Sequence, residues 1–147
     1  MTRLTEQDLR NRYGLFNAGD FDAVVAQFSP EAQYRQLDGP EVTVALGREQ
    51  IRGVMEGWRH FFGDNPQIED IVIRPAHSLI REVSGAAQCF VVNFVGVGVY
   101  QNTIPGLEEA APAHGRPVRV PIGETVWVDG DGLFVRVDNT MKIIALQ

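Results

Sequence analysis

The sequence predicts an α+β domain in which helices cover one face of a mostly antiparallel, strongly bent β-sheet. Apolar residues recur at helical spacing as far as Phe62, whereas from Ile68 onward they follow strand-like patterns. Helices followed by a run of strands are typical of the α+β class. The 147 residues match one domain that is large enough to enclose a ligand-sized cavity. We therefore expect a single domain over residues 1–147, with three N-terminal helices packed in the concavity of the sheet.

Three helices are predicted in the first part of the chain. Thr5 is a good N-cap for the first, because Asp8 follows it at capping-box spacing. Asp20 caps a second, short helix whose apolar spacing includes Phe28. The third runs from about Arg48 to Phe62 and carries a clear apolar stripe.

Strands and turns are predicted for the remainder. The region Gly115–Asp138 reads as a long β-hairpin, because two Val-rich runs meet at Asp129-Gly-Asp-Gly132, which suits a tight turn. Residues 139–147 fit neither a strand nor a helix clearly. The other predicted strands are Ala32–Leu37, Ile68–Arg74, Ser78–Val83 and Ala86–Tyr100.

Composition excludes several classes of function. The formal net charge of -6 and the lack of a basic stripe argue against nucleic-acid binding. No apolar run reaches transmembrane length, so we expect a cytoplasmic protein without a membrane partner. Cys89 lies within an apolar run and is expected to be a buried hydrophobic residue. No His, Asp or Glu spacing suggests a metal site, and we expect no cofactor.

Glu124 is the leading candidate for chemistry. Side chains alternate along a strand, so Glu124 shares one face with Val126 and Val128, while Thr125 and Trp127 take the other. In a pocket, burial would favour a neutral carboxyl group that donates a hydrogen bond to a ligand oxygen. The alternative is a carboxylate paired with one of three arginines: Arg12, Arg119 or Arg136.

Other candidates have a structural interpretation beside the functional one. Asn93 interrupts an apolar run and either lines a pocket near Glu124 or satisfies a bulge near Gly96. Asp38 is more readily explained by turn chemistry than by a place at a cavity mouth. Three aromatic residues, Tyr13, Trp58 and Phe62, face inward by helical periodicity, as core or as ligand wall.

Five short motifs give the chain a family resemblance. They are Leu-Thr-x-Gln at the start, Asn17-Ala-Gly-Asp-Phe-Asp22, Phe28-Ser-Pro-Glu-Ala32, Gly47-Arg-Glu-Gln-Ile51 and Gly115-Arg-Pro-Val118. With these motifs the chain resembles the nuclear-transport-factor-2-like superfamily and, within it, is similar to the ketosteroid-isomerase-like and SnoaL-like polyketide-cyclase branch. This resemblance implies a cone-shaped α+β barrel around an apolar pocket, and a homodimer formed through the outer face of the sheet.

The resemblance carries over only partly at the functional positions. Glu124 matches the pocket acid of the ketosteroid isomerases, but Gln36 stands where their base would be. Their oxyanion tyrosine falls at Arg12, beside Tyr13. The charged residues of the limonene-epoxide-hydrolase branch correspond to uncharged ones, Val91, Asn93 and Asn139. The comparison therefore implies that this is not a working steroid isomerase.

Two functions follow as hypotheses. The first is a cofactor-independent isomerase or cyclase for a small apolar carbonyl compound, with Glu124 and Asn93 as catalytic residues. The second is a non-catalytic ligand-binding or dimerisation module that has lost its base, which Gln36 favours. The residues expected to contact the substrate are Tyr13, Gln36, Trp58, Phe62, Val126 and Asn139.

Overall fold

A computed structural model describes residues 3–39 and 41–147, so Pro40 of the predicted turn lies outside the described residues. Two α-helices and two β-strands precede the third α-helix, and four β-strands follow it. In chain order they are α1 (Glu6–Asn17), α2 (Phe21–Ala26), β1 (Phe28–Gln36), β2 (Thr43–Leu46), α3 (Gly47–Phe62), β3 (Gln67–Pro75), β4 (Ala86–Val99), β5 (Pro117–Asp129) and β6 (Phe134–Met141). Two 3₁₀ helices, His77–Glu82 and Ile143–Leu146, complete the described structure.

The strands form a curled sheet of the order β2-β1-β6-β5-β4-β3, with β2 and β3 as its edges. Strands β1 and β6 pair in parallel, and the other neighbouring strands pair antiparallel. The predicted α+β class and the mostly antiparallel sheet are therefore confirmed.

The hairpin of β5 and β6 forms as predicted. Asp129 organises its turn, because its side-chain Oδ1 accepts hydrogen bonds from the backbone N–H groups of Asp131 and Leu133, both at 2.9 Å. Gly132 has a φ of 80°, which a residue without a Cβ adopts at little cost. The local turn chemistry thus places β5 and β6, which carry Glu124 and Asn139, side by side.

The helices pack against the sheet through the faces that periodicity predicts. Thr5 and Asp8 form the predicted capping box, with reciprocal bonds of 3.1 and 2.8 Å. Helix α1 contacts β3, and α3 contacts β1 and β4. Gly98 of β4 is needed for the last of these, since a Cβ there would lie 2.5 Å from the carbonyl oxygen of Phe62. In the described ranges no helix combines the length and apolarity that crossing a bilayer requires.

One predicted boundary is wrong, and one strand was not predicted. Phe28 begins β1 instead of ending the second helix, because it pairs with Phe134 and the two rings meet edge-on at 5.2 Å. The missed strand is β2, an edge strand whose larger apolar side chains, Val44 and Leu46, are exposed. Only the small Ala45 packs against the core, so the strand carries little apolar signal.

The segment predicted as a strand over Ser78–Val83 is instead a 3₁₀ helix, and it covers the outer face of the sheet at Trp127. The indole N–H of Trp127 donates to the carbonyl of Leu79 at 2.8 Å, and the Arg136 guanidinium lies 4.9 Å from the ring. Trp127 points away from the inner face, as predicted, but is only 4% exposed. It is therefore not free to meet a second copy of the chain.

The C-terminal residues that the sequence left unassigned are divided between two elements. β6 continues to Met141, and the 3₁₀ helix Ile143–Leu146 follows. Leu146 is fully buried, and its carbonyl lies 2.8 Å from Nε2 of His114. The chain end thus packs against the loop that precedes β5.

Candidate functional site

A cavity of about 90 Å³ lies between the helices and the inner face of the sheet. Most of its wall is aliphatic or aromatic, and the few polar side chains come from α1, β1, β5, β6 and neighbouring segments. The residues that line it are Arg12, Tyr13, Phe16, Val24, Gln27, Phe28, Tyr34, Met55, Trp58, Phe62, Pro66, Gln67, Ile68, Phe94, Gly96, Val97, Val120, Ile122, Glu124, Phe134, Val137 and Asn139.

Glu124 projects from the middle of β5 into this wall. Its strand neighbours are Val92 on β4 and Asn139 on β6, both fully buried. Adjacent residues in register share a face of the sheet, so the alternation of three strands directs the carboxylate inward. Glu124 itself is only 7% exposed.

Three donors from three different elements hold the carboxylate. Tyr13 of α1 donates to Oε1 at 2.6 Å, and Tyr34 of β1 donates to Oε2 at 2.5 Å. The amide Nδ2 of Asn139 donates to Oε2 at 2.8 Å and to the Tyr34 hydroxyl at 3.1 Å. We call Glu124, Tyr13, Tyr34 and Asn139 the carboxylate cluster. A neutral carboxyl group that donated to a ligand would have to carry its proton at the one acceptor position that these three bonds leave free.

The carboxylate cluster has hydrogen-bond acceptor positions that its own members do not fill. A carboxylate has about four acceptor positions, and Glu124 uses one on Oε1 and two on Oε2. The remaining position is on Oε1. The side-chain Oδ1 of Asn139 is buried and has no partner in the described part of the chain. The cluster can therefore accept a proton or a hydrogen bond, while both of its phenol donors are occupied.

The two phenols are kept neutral by their surroundings. Burial raises the pKa of Tyr13 well above its ordinary value, and the Glu124 carboxylate adds to this through its charge and its hydrogen bond. Burial and the same carboxylate also raise the pKa of Tyr34, against a smaller lowering by Asn139. Both phenols therefore act as hydrogen-bond donors at neutral pH.

The arginines proposed as partners of Glu124 are engaged elsewhere. Arg119 lies 2.7 Å from Glu69 and 3.3 Å from Asp70. Arg136 pairs with Asp138 at 2.9 Å, and Arg12 donates to the carbonyl of Gly132 at 2.6 Å. Over residues 3–39 and 41–147, Glu124 has no cationic partner within ion-pair distance. Neutral donors alone stabilise its charge.

Most of the predicted contact residues do line the cavity. Tyr13 and Asn139 belong to the carboxylate cluster, and Trp58 and Phe62 form a stacked aromatic pair with ring centres 5.3 Å apart. Gln36 lies outside the lining, although it is the register partner of Asn139.

Three further candidates lie away from the cavity. Val126 is fully buried on the face of Glu124 but does not reach the lining. Asn93 is a correction: its register partner is Gly123, and its side chain is exposed on the outer face of the sheet. It cannot assist Glu124, because Val92 and Phe94 take the inward positions of β4. Asp38 accepts a bond from the backbone N–H of Met141 at 3.0 Å and does not line the cavity either.

Tyr34 is the site residue that the sequence interpretation missed. A signal for it existed, because Ala32 and Tyr34 alternate with the polar Gln33 and Arg35, and both are buried. As for metals, the described residues contain no cluster of His, Cys, Asp or Glu suited to an ion. The chemistry of the site is that of one carboxylate among phenols, an amide and apolar side chains.

Comparison with known proteins identifies the family. Residues 9–137 match the SnoaL-like domain family, so the chain belongs to it. This confirms the predicted family and fits the nuclear-transport-factor-2-like superfamily. No curated protein matches the sequence.

Solved structures share the fold at low sequence identity. A proposed polyketide cyclase from Xanthomonas campestris pv. campestris is 24% identical with a TM-score of 0.70, covering 95% of this chain and 93% of its own. A second, from Pseudomonas putida, is 21% identical with a TM-score of 0.72 and coverage of 99% and 100%. A protein with a ketosteroid-isomerase-like fold from Catenulispora acidiphila, solved with trimethylamine, is 14% identical with a TM-score of 0.65 and coverage of 97% and 91%.

Proposed function

We propose that this chain is a cofactor-independent isomerase or cyclase that acts on a small, mostly apolar carbonyl compound. The sheet and the three helices would enclose the substrate in a cone-shaped barrel. The observation that carries the proposal is the Glu124 carboxylate in the wall of an otherwise largely apolar cavity, held there by Tyr13, Tyr34 and Asn139.

Glu124 serves as the proton acceptor in this proposal, in place of the donor role expected from the sequence. Its free acceptor position on Oε1 takes a proton from the carbon next to the substrate carbonyl. An isomerase returns that proton to a second carbon. A cyclase uses the resulting enolate to attack a second carbonyl, and the alkoxide oxygen formed there takes the proton back from Glu124. Tyr13 and Tyr34 keep the carboxylate fixed, so that little reorganisation accompanies the transfer.

A non-catalytic binding module is the second candidate, and two observations favour it. Three donors already occupy Glu124, which leaves a single acceptor position for a substrate proton. Glu124 is also the only carboxylate among the described residues that line the cavity, with no histidine beside it. A binding module would use the same cavity and exchange no protons.

Proton transfer from a small ketone separates the two candidates. We suggest 3-cyclohexen-1-one as the probe, because its conversion to the conjugated isomer is visible by absorbance and its deuterium uptake by NMR. Acceleration by the wild type should fall about 10²- to 10⁴-fold in Glu124→Gln, the usual contribution of a general base. Glu109→Gln is the matched control, since Glu109 is an exposed loop residue outside the cavity.

The outcomes are distinct. Acceleration that survives Glu124→Gln would exclude Glu124 as the base. A wild type that binds the ketone, with chemical-shift changes at cavity residues, but leaves its isomerisation and deuterium uptake at the buffer rate would support the binding module.

We also propose that two copies associate through the outer face of the sheet. The apolar side chains Val44 and Leu46 at one edge and Val72 at the other are exposed there, flanking a polar centre built on Asp138. The contact would have to exclude Trp127, which is already covered.

A further inference from the structure

Arg12 is a cavity residue that the proposed proton transfer does not use. It precedes Tyr13 on α1 and lines the same cavity. Its Nη1 donates to the carbonyl of Gly132 at 2.6 Å, and its guanidinium lies 5.2 Å from the ring centre of Phe134. These contacts fix the side chain but occupy one nitrogen of the guanidinium, leaving the Nε and Nη2 donors.

The charge of Arg12 is not paired with a carboxylate in the described part of the chain. Burial lowers the pKa of Arg12, and the nearby charge of Asp8 opposes that change. Asp8 lies outside ion-pair distance of Arg12, and its carboxylate is bound to the backbone N–H of Thr5 in the capping box. A partly desolvated cation favours an anionic partner.

Two other arginines of this protein show which ligand the unused Nε and Nη2 donors of Arg12 can bind. Arg35 binds Asp138 through Nε and Nη2, at 2.8 and 3.1 Å. Arg136 binds the same carboxylate through the same two nitrogens, both at 2.9 Å. In Arg12 this Nε–Nη2 edge makes no bond to any described residue. Its two parallel N–H groups match the two oxygens of a carboxylate.

We propose that the cavity takes a ligand with a carboxylate group, which binds the Nε–Nη2 edge of Arg12 while its apolar body extends into the cavity. The inference rests on the proposed function for the identity of the site and narrows its substrate class to small apolar keto acids. The chain has a net charge of -6, so a preference for an anion must come from a local cation and not from the overall field.

Benzoate and benzamide are suitable probes, because they share one ring and differ in charge. Dissociation constants from NMR titration should show benzoate binding the wild type at least tenfold more tightly than benzamide. In Arg12→Met the affinity for benzoate should fall about 10- to 100-fold, the range for hydrogen bonds to charged groups, and that for benzamide should change little. Arg12→Lys keeps the positive charge but loses the two parallel N–H donors, so we expect an intermediate loss of benzoate affinity.

Arg59→Met is a close control. Arg59 also lies over a phenylalanine ring, at 4.0 Å from Phe21, and donates to a backbone carbonyl, that of Gly19 at 3.1 Å. It does not line the cavity, so benzoate affinity should stay at the wild-type value. Urea denaturation midpoints show whether each variant is folded. If Arg12→Met is not folded, the benzoate affinity of Arg12→Lys is compared with that of the wild type instead.

Equal affinities of benzoate and benzamide for the wild type would overturn the inference. An equal loss of benzoate affinity in Arg59→Met would also overturn it, since the effect would then come from packing. Benzoate binding that depends on Arg12, in a protein that does not accelerate ketone isomerisation, would uphold the inference while refuting the proposed catalysis. Ketone isomerisation that depends on Glu124, in a protein whose benzoate affinity does not depend on Arg12, would support the proposed catalysis and refute the carboxylate site.

Discussion

Substituting Tyr34 by Phe tests whether the Glu124 carboxylate is held by charge-assisted hydrogen bonds. The change removes one hydroxyl from a side chain that is 3% exposed. It deletes the 2.5 Å bond to Oε2 and the hydroxyl that accepts from Asn139 at 3.1 Å. Asn139 keeps its own bond to Glu124, so one donor remains on Oε2. The ring stays in place, which limits any packing change.

The expected cost follows from the charge of the acceptor. A hydrogen bond to a charged group contributes about 1.5–3 kcal/mol, and a neutral one about 0.5–1.5 kcal/mol. Tyr34→Phe should therefore lower the free energy of unfolding by about 1.5–3 kcal/mol in the wild type. In a Glu124→Gln background the same bond is neutral, and the loss should be no more than about 1.5 kcal/mol. Urea denaturation at neutral pH, with unchanged m-values, measures both.

Tyr100→Phe is the control for this cycle. Tyr100 is also buried, but its hydroxyl donates to the backbone carbonyl of Ala111. Its loss should cost the same in both backgrounds, because distant, independent sites add. If Tyr34→Phe also cost the same in both backgrounds, the carboxylate would not be held by its charge, and the reasoning behind the site would fail.

Two further predictions concern the outer face of the sheet. Burial tends to raise the pKa of Asp138, but the hydrogen bonds from Arg136 and Arg35 outweigh burial and leave the pKa below its ordinary value of 3.8. The carboxylate therefore stabilises the fold above pH 3.8, and this contribution is lost as the pH falls below that value. The stability difference between wild type and Asp138→Asn, from urea unfolding, should therefore be constant near neutral pH and shrink below about pH 4; a difference that grew in acid would contradict this sign. For the dimer, sedimentation velocity at micromolar concentration should give two copies for the wild type and one for Thr125→Arg, which puts a cation on the outer face beside Asp138 and Val91. A monomeric wild type would refute the proposed association.

The elements that the sequence predicted correctly have signals that are local in the chain. The Asp129–Gly132 turn and the alternation around Glu124 identify both the hairpin and the face of its acid. The capping box of Thr5 and Asp8 likewise marks the start of α1. In these cases a few neighbouring residues decide the conformation, and tertiary contacts agree with them.

The site itself depends on contacts that are distant in sequence. Asn93 was misplaced because Phe90-Val-Val-Asn-Phe-Val95 is apolar on both faces, so periodicity cannot say which residues point inward. Its outward position follows from the pairing of β4 with β5. For Tyr34, the alternation of β1 indicates a buried side chain but does not say which distant residues its hydroxyl meets. Only the parallel pairing of β1 with β6 brings Tyr34 to Glu124 and Asn139.

The composition of the carboxylate cluster argues for a role in binding or catalysis as well as in stability. Glu124 joins one helix and three strands, since its partners lie on α1, β1 and β6. Yet a buried charge is a poor source of stability, and apolar side chains of similar volume often replace buried ionic groups without loss. Three donors from separate elements instead hold one carboxylate in a cavity wall, with one acceptor position on Oε1 unused. A purely structural acid would have no need of that free position or of the adjoining cavity, whereas a ligand that gives up a proton or a hydrogen bond needs both.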